Sequence, residues 1–169
     1  MALLSLAELV ALRETWRADG LRLVLTNGVF DVLHAGHVRY LEQARALGDV
    51  LVVALNSDAS TRAIKGPLRP ITPQAERAAV LGALRAVDHV TLFDQPTAEA
   101  IVGALRPDVY VKGGDYATPD QAPDLARLPE ARIVAAQGGR VVLLPYAEGQ
   151  STSAIIQRIV ERYGRDRAT

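Results

Sequence analysis

Apolar positions along the chain change period several times, and the changes outline alternating helices and strands. From Ser5 to Asp19, Leu6, Leu9, Val10, Leu12 and Trp16 recur at helical spacing. Ser5 and Glu8 form a capping box ahead of that stripe, and Gly20 ends it. Leu21–Thr26 is a short apolar run that reads as a strand, and Val38–Leu47 returns to helical spacing. Val50–Leu55, V-L-V-V-A-L, is apolar without alternation, the pattern of a strand covered on both faces. Thr72-Pro73 opens a helix to about Val87, and His89–Phe93 is a strand. Thr97 caps a short helix to Leu105, Asp108–Val111 and Arg140–Leu144 are strands, and Ser151 caps a last helix to about Tyr163.

Two stretches lack a clear period. Ser57–Ile71 carries Gly66, Pro67 and Pro70 and is expected to be a loop with one helical turn near Ser60–Ile64. Thr118–Arg132 is expected to be a loop with a short helix that Val134–Gln137 completes. Strands alternating with helices predict an α/β fold: a single Rossmann-like, doubly wound domain with a five-stranded parallel sheet and helices on both faces. Residues 1–20 are expected to form an N-terminal helix packed on the domain, 21–163 the domain, and 164–169 a flexible tail.

The first strand-to-helix junction, T-N-G-V-F-D-V-L-H-A-G-H from Thr26 to His37, concentrates the chemistry. A turn is expected at Asn27-Gly28 and a helix start near Ala35, which places His34 and His37 together at the helix mouth. Amides of a first helical turn lack intrahelical partners, and the dipole's positive end favours anions. Two imidazoles beside that end make a phosphate site, with Gly36 leaving room for close approach. Histidines at i and i+3, with Asp31 as a third ligand, could instead share a metal. The chain has no cysteine and no glutamate at zincin spacing, so no dedicated metal site is expected.

Composition narrows the partners. With 19 basic and 19 acidic residues the net charge is zero, and no basic stripe favours nucleic acid. The apolar start carries Glu8 and no cationic leader, and no run is long enough to span a membrane; a cytoplasmic location is expected. Among the 19 basic residues only Lys65 and Lys112 are lysines. A compact point charge kept against an arginine background hints at sites that want it, although base composition could produce the same bias. The G-x-G-x-x-G fingerprint and the P-loop are both missing, which disfavours a dehydrogenase or a kinase-type cradle. In a doubly wound sheet the ligand edge lies at the strands' carboxyl ends. Asn27–His37, Asn56–Lys65, Lys112–Asp115 and Glu148–Ser153 fall there, so both lysines and the histidine pair share one edge.

Thr26–His37 resembles the signature of the cytidylyltransferase-like nucleotidylyltransferases, whose H-x-G-H holds a triphosphate. With N-S-D at Asn56–Asp58, R-A-I-K-G-P-L-R-P-I, Glu76-Arg77, P-D-V-Y-V-K-G-G-D-Y and E-G-Q-S-T-S-A-I-I, the order is similar to that of the ADP-heptose synthase family. The resemblance implies an adenylyltransferase that joins ATP and D-glycero-β-D-manno-heptose 1-phosphate to give ADP-heptose and pyrophosphate. It implies that His34, His37 and Lys65 are catalytic, with Lys65 holding the sugar phosphate. Thr26, Asn27, Gly28, Phe30, Gly36, Lys112, Gly113, Asp115, Ser151, Thr152 and Ser153 would bind the nucleotide, and Asp31 and Arg77 the substrate. Two residues keep a plainer alternative: Arg77 as a helix-face ion pair and Ser151 as a simple N-cap.

The resemblance also implies Mg²⁺ accompanying ATP, a homodimer, and a separate heptose kinase upstream, since no kinase segment is recognised here. A sugar phosphate attacking an α-phosphorus is already anionic, so the task is to offset repulsion between polyanions rather than to remove a proton. Unit charges 4 Å apart repel by about 1 kcal/mol in water and roughly 4 at an effective dielectric of 20. Glycerol-3-phosphate cytidylyltransferases are the nearest alternative, but they place an arginine before E-G-x-S-T where this chain has Tyr146-Ala147. A non-catalytic nucleotide-binding module, a pantetheine-phosphate enzyme and an RNA-linked enzyme with a similar H-x-G-H are further alternatives.

Overall fold

A computed structural model describes residues 2–113, 128–145 and 151–164. Its elements are β1 (Ala2–Leu3), α1 (Leu6–Ala18), β2 (Leu23–Gly28), α2 (Ala35–Arg45), β3 (Val50–Asn56), α3 (Asp58–Lys65) and α4 (Gln74–Gly82). They continue with β4 (His89–Phe93), α5 (Glu99–Leu105), β5 (Val109–Gly113), α6 (Pro129–Ala136), β6 (Arg140–Leu144) and α7 (Thr152–Tyr163). All strand pairs are parallel, in the order β1-β4-β3-β2-β5-β6.

The expected five-stranded parallel sheet is the body of this arrangement. The sixth strand, β1, is two residues long and pairs Ala2 and Leu3 with His89 and Val90. So short a strand cannot show alternation, and it forms because β4 offers it an open edge. Two residues on, the capping box is present: Ser5 Oγ accepts from the Glu8 amide at 3.3 Å, and Glu8 Oε2 accepts from the Ser5 amide at 2.8 Å.

Strand pleating sends alternate residues to two cores. Leu23, Leu25, Val52 and Tyr110 pack with Leu9 and Trp16 of α1 and with Ile101, Val102 and Leu105 of α5. Val24, Leu51, Val53 and Val111 pack on the other face with Tyr40, Leu41 and Ala44 of α2 and with Ala78 and Leu81 of α4. β3 is buried along its whole length, as its unbroken apolar run requires. The winding direction reverses between β2 and β5, and the crevice outside their carboxyl ends is where such sheets bind ligands.

Several boundaries depart from expectation; α5, for one, has Ala98 as its N-cap and lacks the side-chain cap expected from Thr97. Ser57–Lys65 is not a loop with one turn: Asp58–Lys65 is a full helix capped by Ser57 Oγ, which accepts from the Ser60 amide at 3.1 Å. α4 stops at Gly82 rather than running to Val87.

Candidate active site

A cleft of about 560 Å³ opens at the carboxyl edge of the sheet, above the β2–β5 reversal. His34, His37, Lys65 and Lys112 all line it, together with Asn27, Gly28, Phe30, Asp31, Gly113, Ser151, Thr152 and Ser153. The convergence of both histidines and both lysines on one rim is thus present in the fold. Asp115 lies outside the described residues, as do Tyr146 and Ala147.

The β2–α2 connection is built differently from the expected Asn27-Gly28 turn. Asn27 and Gly28 continue β2, paired with Ala54 and Leu55. The reversal comes at Phe30 (φ 47°) and Val32 (φ 51°), both left-handed. That conformation is costly for a β-branched residue and persists only where the surroundings enforce it. Asp31, between the two, supplies the enforcement. Its carboxylate accepts from Arg69 Nε at 2.7 Å, the Ile71 amide at 2.8 Å and the Thr72 amide at 2.9 Å. Its backbone carbonyl accepts from Thr152 Oγ1 at 2.8 Å. Burial alone would push the Asp31 pKa up; the two amides and the Arg69 guanidinium outweigh it and hold the carboxyl below its usual range. Gly28 lets the Phe30 ring lie close, because a Cβ there would stand 3.0 Å from that ring and push against it.

His34 is the N-cap of α2. Its Nδ1 accepts from the Gly36 amide at 3.1 Å, so the neutral ring carries its proton on Nε2. The His37 ring lies 4.0 Å from that of His34 and 5.4 Å from Phe30, centroid to centroid. Burial lowers the His34 pKa; burial and then the nearby His34 charge lower that of His37 to about 4. His37 Nδ1 is buried without a partner among the described residues. The helix mouth offers fewer bare amides than expected. Gly36 is bonded to the His34 ring, and His37 and Val38 bond the His34 carbonyl at 2.9 and 3.3 Å. Gly36 is also buried and off the cleft lining, so it does not present its amide to a ligand. At this mouth it is His34 and His37, not Gly36, that line the cleft.

Bare amides are instead found at the facing helix. Ser151 caps α7 by accepting from the Ala154 amide at 3.1 Å, and the Thr152 and Ser153 amides have no partner among the described residues. Both residues line the cleft. The N-cap and cradle alternatives for Ser151 are therefore compatible.

On the β5 side, Asn27 Oδ1 accepts from Tyr110 Oη at 2.6 Å and from Lys112 Nζ at 3.0 Å. Two donors on that atom fix the amide's orientation and leave Nδ2 as a further donor. Burial lowers the Lys112 pKa, Glu130 opposes the shift, and Lys65 adds to it. Thr26 is fully buried with Oγ1 2.7 Å from Tyr40 Oη, so it supports the floor of the cleft without facing it.

Arg77 requires a correction. It is 1% exposed and does not line the cleft. Its guanidinium donates to the carbonyls of Thr72, Val29 and Asn56 and to Asp58 Oδ1, at 2.6–2.9 Å. Neither a substrate contact nor an exposed helix-face pair describes it: it ties three loops together beneath the site. Asn56 and Tyr40 line the cleft and were not among the expected site residues. The available signal for Asn56 was its place as a polar residue ending a buried strand.

Among the described residues no group of three or more His, Asp and Glu side chains gathers in metal-binding fashion, and the Asp31 oxygens already hold three donors. No helix there is long and apolar enough to cross a membrane.

Residues 25–158 match the family described as cytidylyltransferase-like. The chain is 51% identical over 151 residues to the bifunctional protein HldE of Streptomyces coelicolor, covering 89% of this chain and 31% of that one. To the bifunctional protein HldE of Pelobacter propionicus it is 47% identical over 155 residues, 92% of this chain and 30% of that one. It therefore spans about 30% of the length of these curated relatives. A lipopolysaccharide core biosynthesis protein from Thermoplasma volcanium is 31% identical, with a TM-score of 0.59 over 78% of this chain and all of that one. A pantoate-β-alanine ligase from Francisella tularensis shares the fold at 11% identity, with a TM-score of 0.57 over 90% of this chain and 69% of that one. With the family's pattern running through most of its length and the H-x-G-H histidines at the mouth of α2, this chain belongs to the cytidylyltransferase-like nucleotidyltransferases.

Proposed function

We propose that the chain is an adenylyltransferase that joins ATP and D-glycero-β-D-manno-heptose 1-phosphate, giving ADP-heptose and pyrophosphate. The observation that carries this is the convergence on one cleft of His34, His37, Lys65, Lys112 and the α7 residues Thr152 and Ser153, whose amides have no partner among the described residues. The kinship with proteins named HldE and with a lipopolysaccharide core biosynthesis protein supports the choice of acceptor.

The acceptor's phosphate oxygen attacks the α-phosphorus in line. The new O–P bond forms as the bond to the bridging oxygen breaks, and pyrophosphate leaves with the electron pair. No base is required, because the nucleophile is already an anion; positioning and charge stabilisation carry the rate. Lys65 holds the acceptor phosphate beside the triphosphate. His34 offers Nε2–H, and His37 offers its second nitrogen, to oxygens gaining charge at the reacting phosphorus. Thr152 and Ser153 amides receive the leaving phosphates, and Lys112 with Asn27 Nδ2 serves the nucleotide side. Mg²⁺ enters with ATP as the nucleotide's counterion and supplies further charge neutralisation.

An anomeric phosphate must come from a phosphorylating enzyme, and we expect a separate heptose kinase upstream, with both reactions in the cytoplasm. We also expect a homodimer. α7 buries none of its residues among those described and leaves Ile159, Val160 and Tyr163 more than half exposed, at 52%, 60% and 69%. Light scattering after size exclusion checks that state.

Pyrophosphate release from ATP, CTP and GTP, each with heptose 1-phosphate and with glycerol 3-phosphate, tests the proposal. Turnover is expected with ATP and the heptose. Preference for CTP and glycerol 3-phosphate would replace it, and silence with every pair would favour a binding module.

A further inference from the structure

Asn56 ends β3 at the floor of the cleft and is 3% exposed. The network beneath it fixes which end of its amide faces the ligand. Ser60 Oγ has one hydrogen and gives it to the Gln95 carbonyl at 2.9 Å. Toward Asn56 at 2.9 Å that oxygen can only accept, so Asn56 must present Nδ2 to Ser60. Oδ1 is left with no partner among the described residues, at the lining of the cleft.

The groups around it have the opposite character. Lys65, Arg69, Lys112 and Asn27 Nδ2 are donors, and the Asp31 carboxylate is filled by three of its own. Phosphate oxygens suit the donors and would repel Asn56 Oδ1. An acceptor left open at the cleft lining in such a setting fits a neutral hydrogen donor carried by the same ligand. Asn56 stands on the β3 side, with Ile64, Lys65, Arg69 and Pro96, away from Lys112 and Gly113 across the β2–β5 reversal.

We propose that Asn56 Oδ1 is a specificity-determining acceptor that takes a hydroxyl hydrogen of a polyhydroxylated phosphate ester bound beside Lys65. The assignment of that side to the acceptor rests on the function proposed above. A site built to bond a hydroxyl discriminates strongly against analogues lacking it, because the protein group is then left buried and unpaired.

Calorimetric titration of the full chain, saturated with α,β-methylene-ATP, compares heptose 1-phosphate with cyclohexyl phosphate, which keeps ring and phosphate but has no hydroxyls. Wild type is expected to favour the sugar phosphate at least about tenfold. Asn56→Ala is expected to narrow that ratio at least fivefold while the affinity for the ATP analogue shifts less than twofold. An unchanged ratio, an equal loss of ATP-analogue affinity, or no preference in the wild type each overturns the proposal. If Asn56→Ala does not fold, Ser60→Ala serves, since it leaves the oxygen in place but frees the amide to turn; the ratio then falls, and a wild-type ratio overturns the proposal. Because the readout is binding, it separates from the activity: a chain that shows the discrimination yet releases no pyrophosphate loses its proposed function and keeps the role of Asn56.

Discussion

His34 and His37 stand 4.0 Å apart at one helix mouth, and only His34 has a hydrogen-bonded ring nitrogen among the described residues. Gly36 fixes the His34 tautomer, whereas His37 is held by packing against Phe30 and the His34 ring. His37 is thus a preorganised group with little else to do in the fold. His37→Ala is expected to lower turnover by about a hundredfold or more with the folded state retained. Steady-state pyrophosphate release beside a denaturation curve checks both halves, and near-normal turnover would remove the assigned role.

The same pair gives the protein an acid-side weakness. His37 titrates at about 4 when folded and near 6.5 when unfolded, and burial lowers His34 and His89 as well. Between those values the unfolded chain binds more protons than the folded one, so stability rises with pH through that window. The contribution is fully present above about pH 6.5 and is lost as pH falls toward 4. Urea midpoints measured from pH 7 to 4.5 are expected to decline in the wild type and to decline less in His37→Gln. Equal slopes would place the weakness elsewhere.

Ligand binding should run this titration backwards. A triphosphate beside the imidazoles favours their charged forms and raises both pKa values. Pyrophosphate binding near pH 6 is therefore expected to take up protons, and more so in the wild type than in His37→Gln. Calorimetry in two buffers of different ionisation enthalpy measures the uptake. Proton release on binding would contradict the placement of the anion beside His34 and His37.

Asp31 combines a buried carboxylate with three donors and sits between two left-handed residues. Asp31→Ala leaves the Ile71 and Thr72 amides and Arg69 without their acceptor and releases the strained turn. A loss of about 3 kcal/mol in unfolding free energy is expected, from the usual cost of breaking a buried, hydrogen-bonded ion pair. Chemical denaturation measures it. A change below about 0.5 kcal/mol, the range of ordinary surface substitutions, would mean that Asp31 does not hold this turn.

The sheet and the converging rim were legible because each rests on local pattern: apolar runs, caps and polar residues at strand ends. β6 matches its expected bounds, and α1 carries the expected capping box. What escaped was non-local. α3 turns Ser60 and Thr61 inward, so its buried face is polar and carries no apolar stripe. Ser57 caps it locally, but Gln74 and Gln95 hold it from segments that no window of sequence brings to it. The left-handed turn at Phe30 and Val32 has no glycine at either position, so composition gives no warning of it. Nor could spacing reveal that the Gly36 amide is already taken by the His34 ring.

Arg77 shows how topology decides a charge's role. The turn into α4 brings it under Val29, Asn56 and Asp58, and its guanidinium fills with their acceptors. Asp58 is its only ion-pair partner among the described residues, at 2.7 Å, while three carbonyls take three further donors. Lysine keeps the charge but cannot reproduce a planar fork that bonds in several directions. Arg77→Lys is therefore expected to cost about 3 kcal/mol or more of stability, and Arg77→Ala to leave three carbonyls and a carboxylate without their donor. Where enough protein folds to assay, turnover should fall with the affinities for nucleotide and acceptor together, because the segments carrying Asp31, Asn56 and Lys65 all loosen. Denaturation curves and substrate KM values for the two variants separate this from direct contact. A variant of full stability that lost only acceptor affinity would return Arg77 to the substrate.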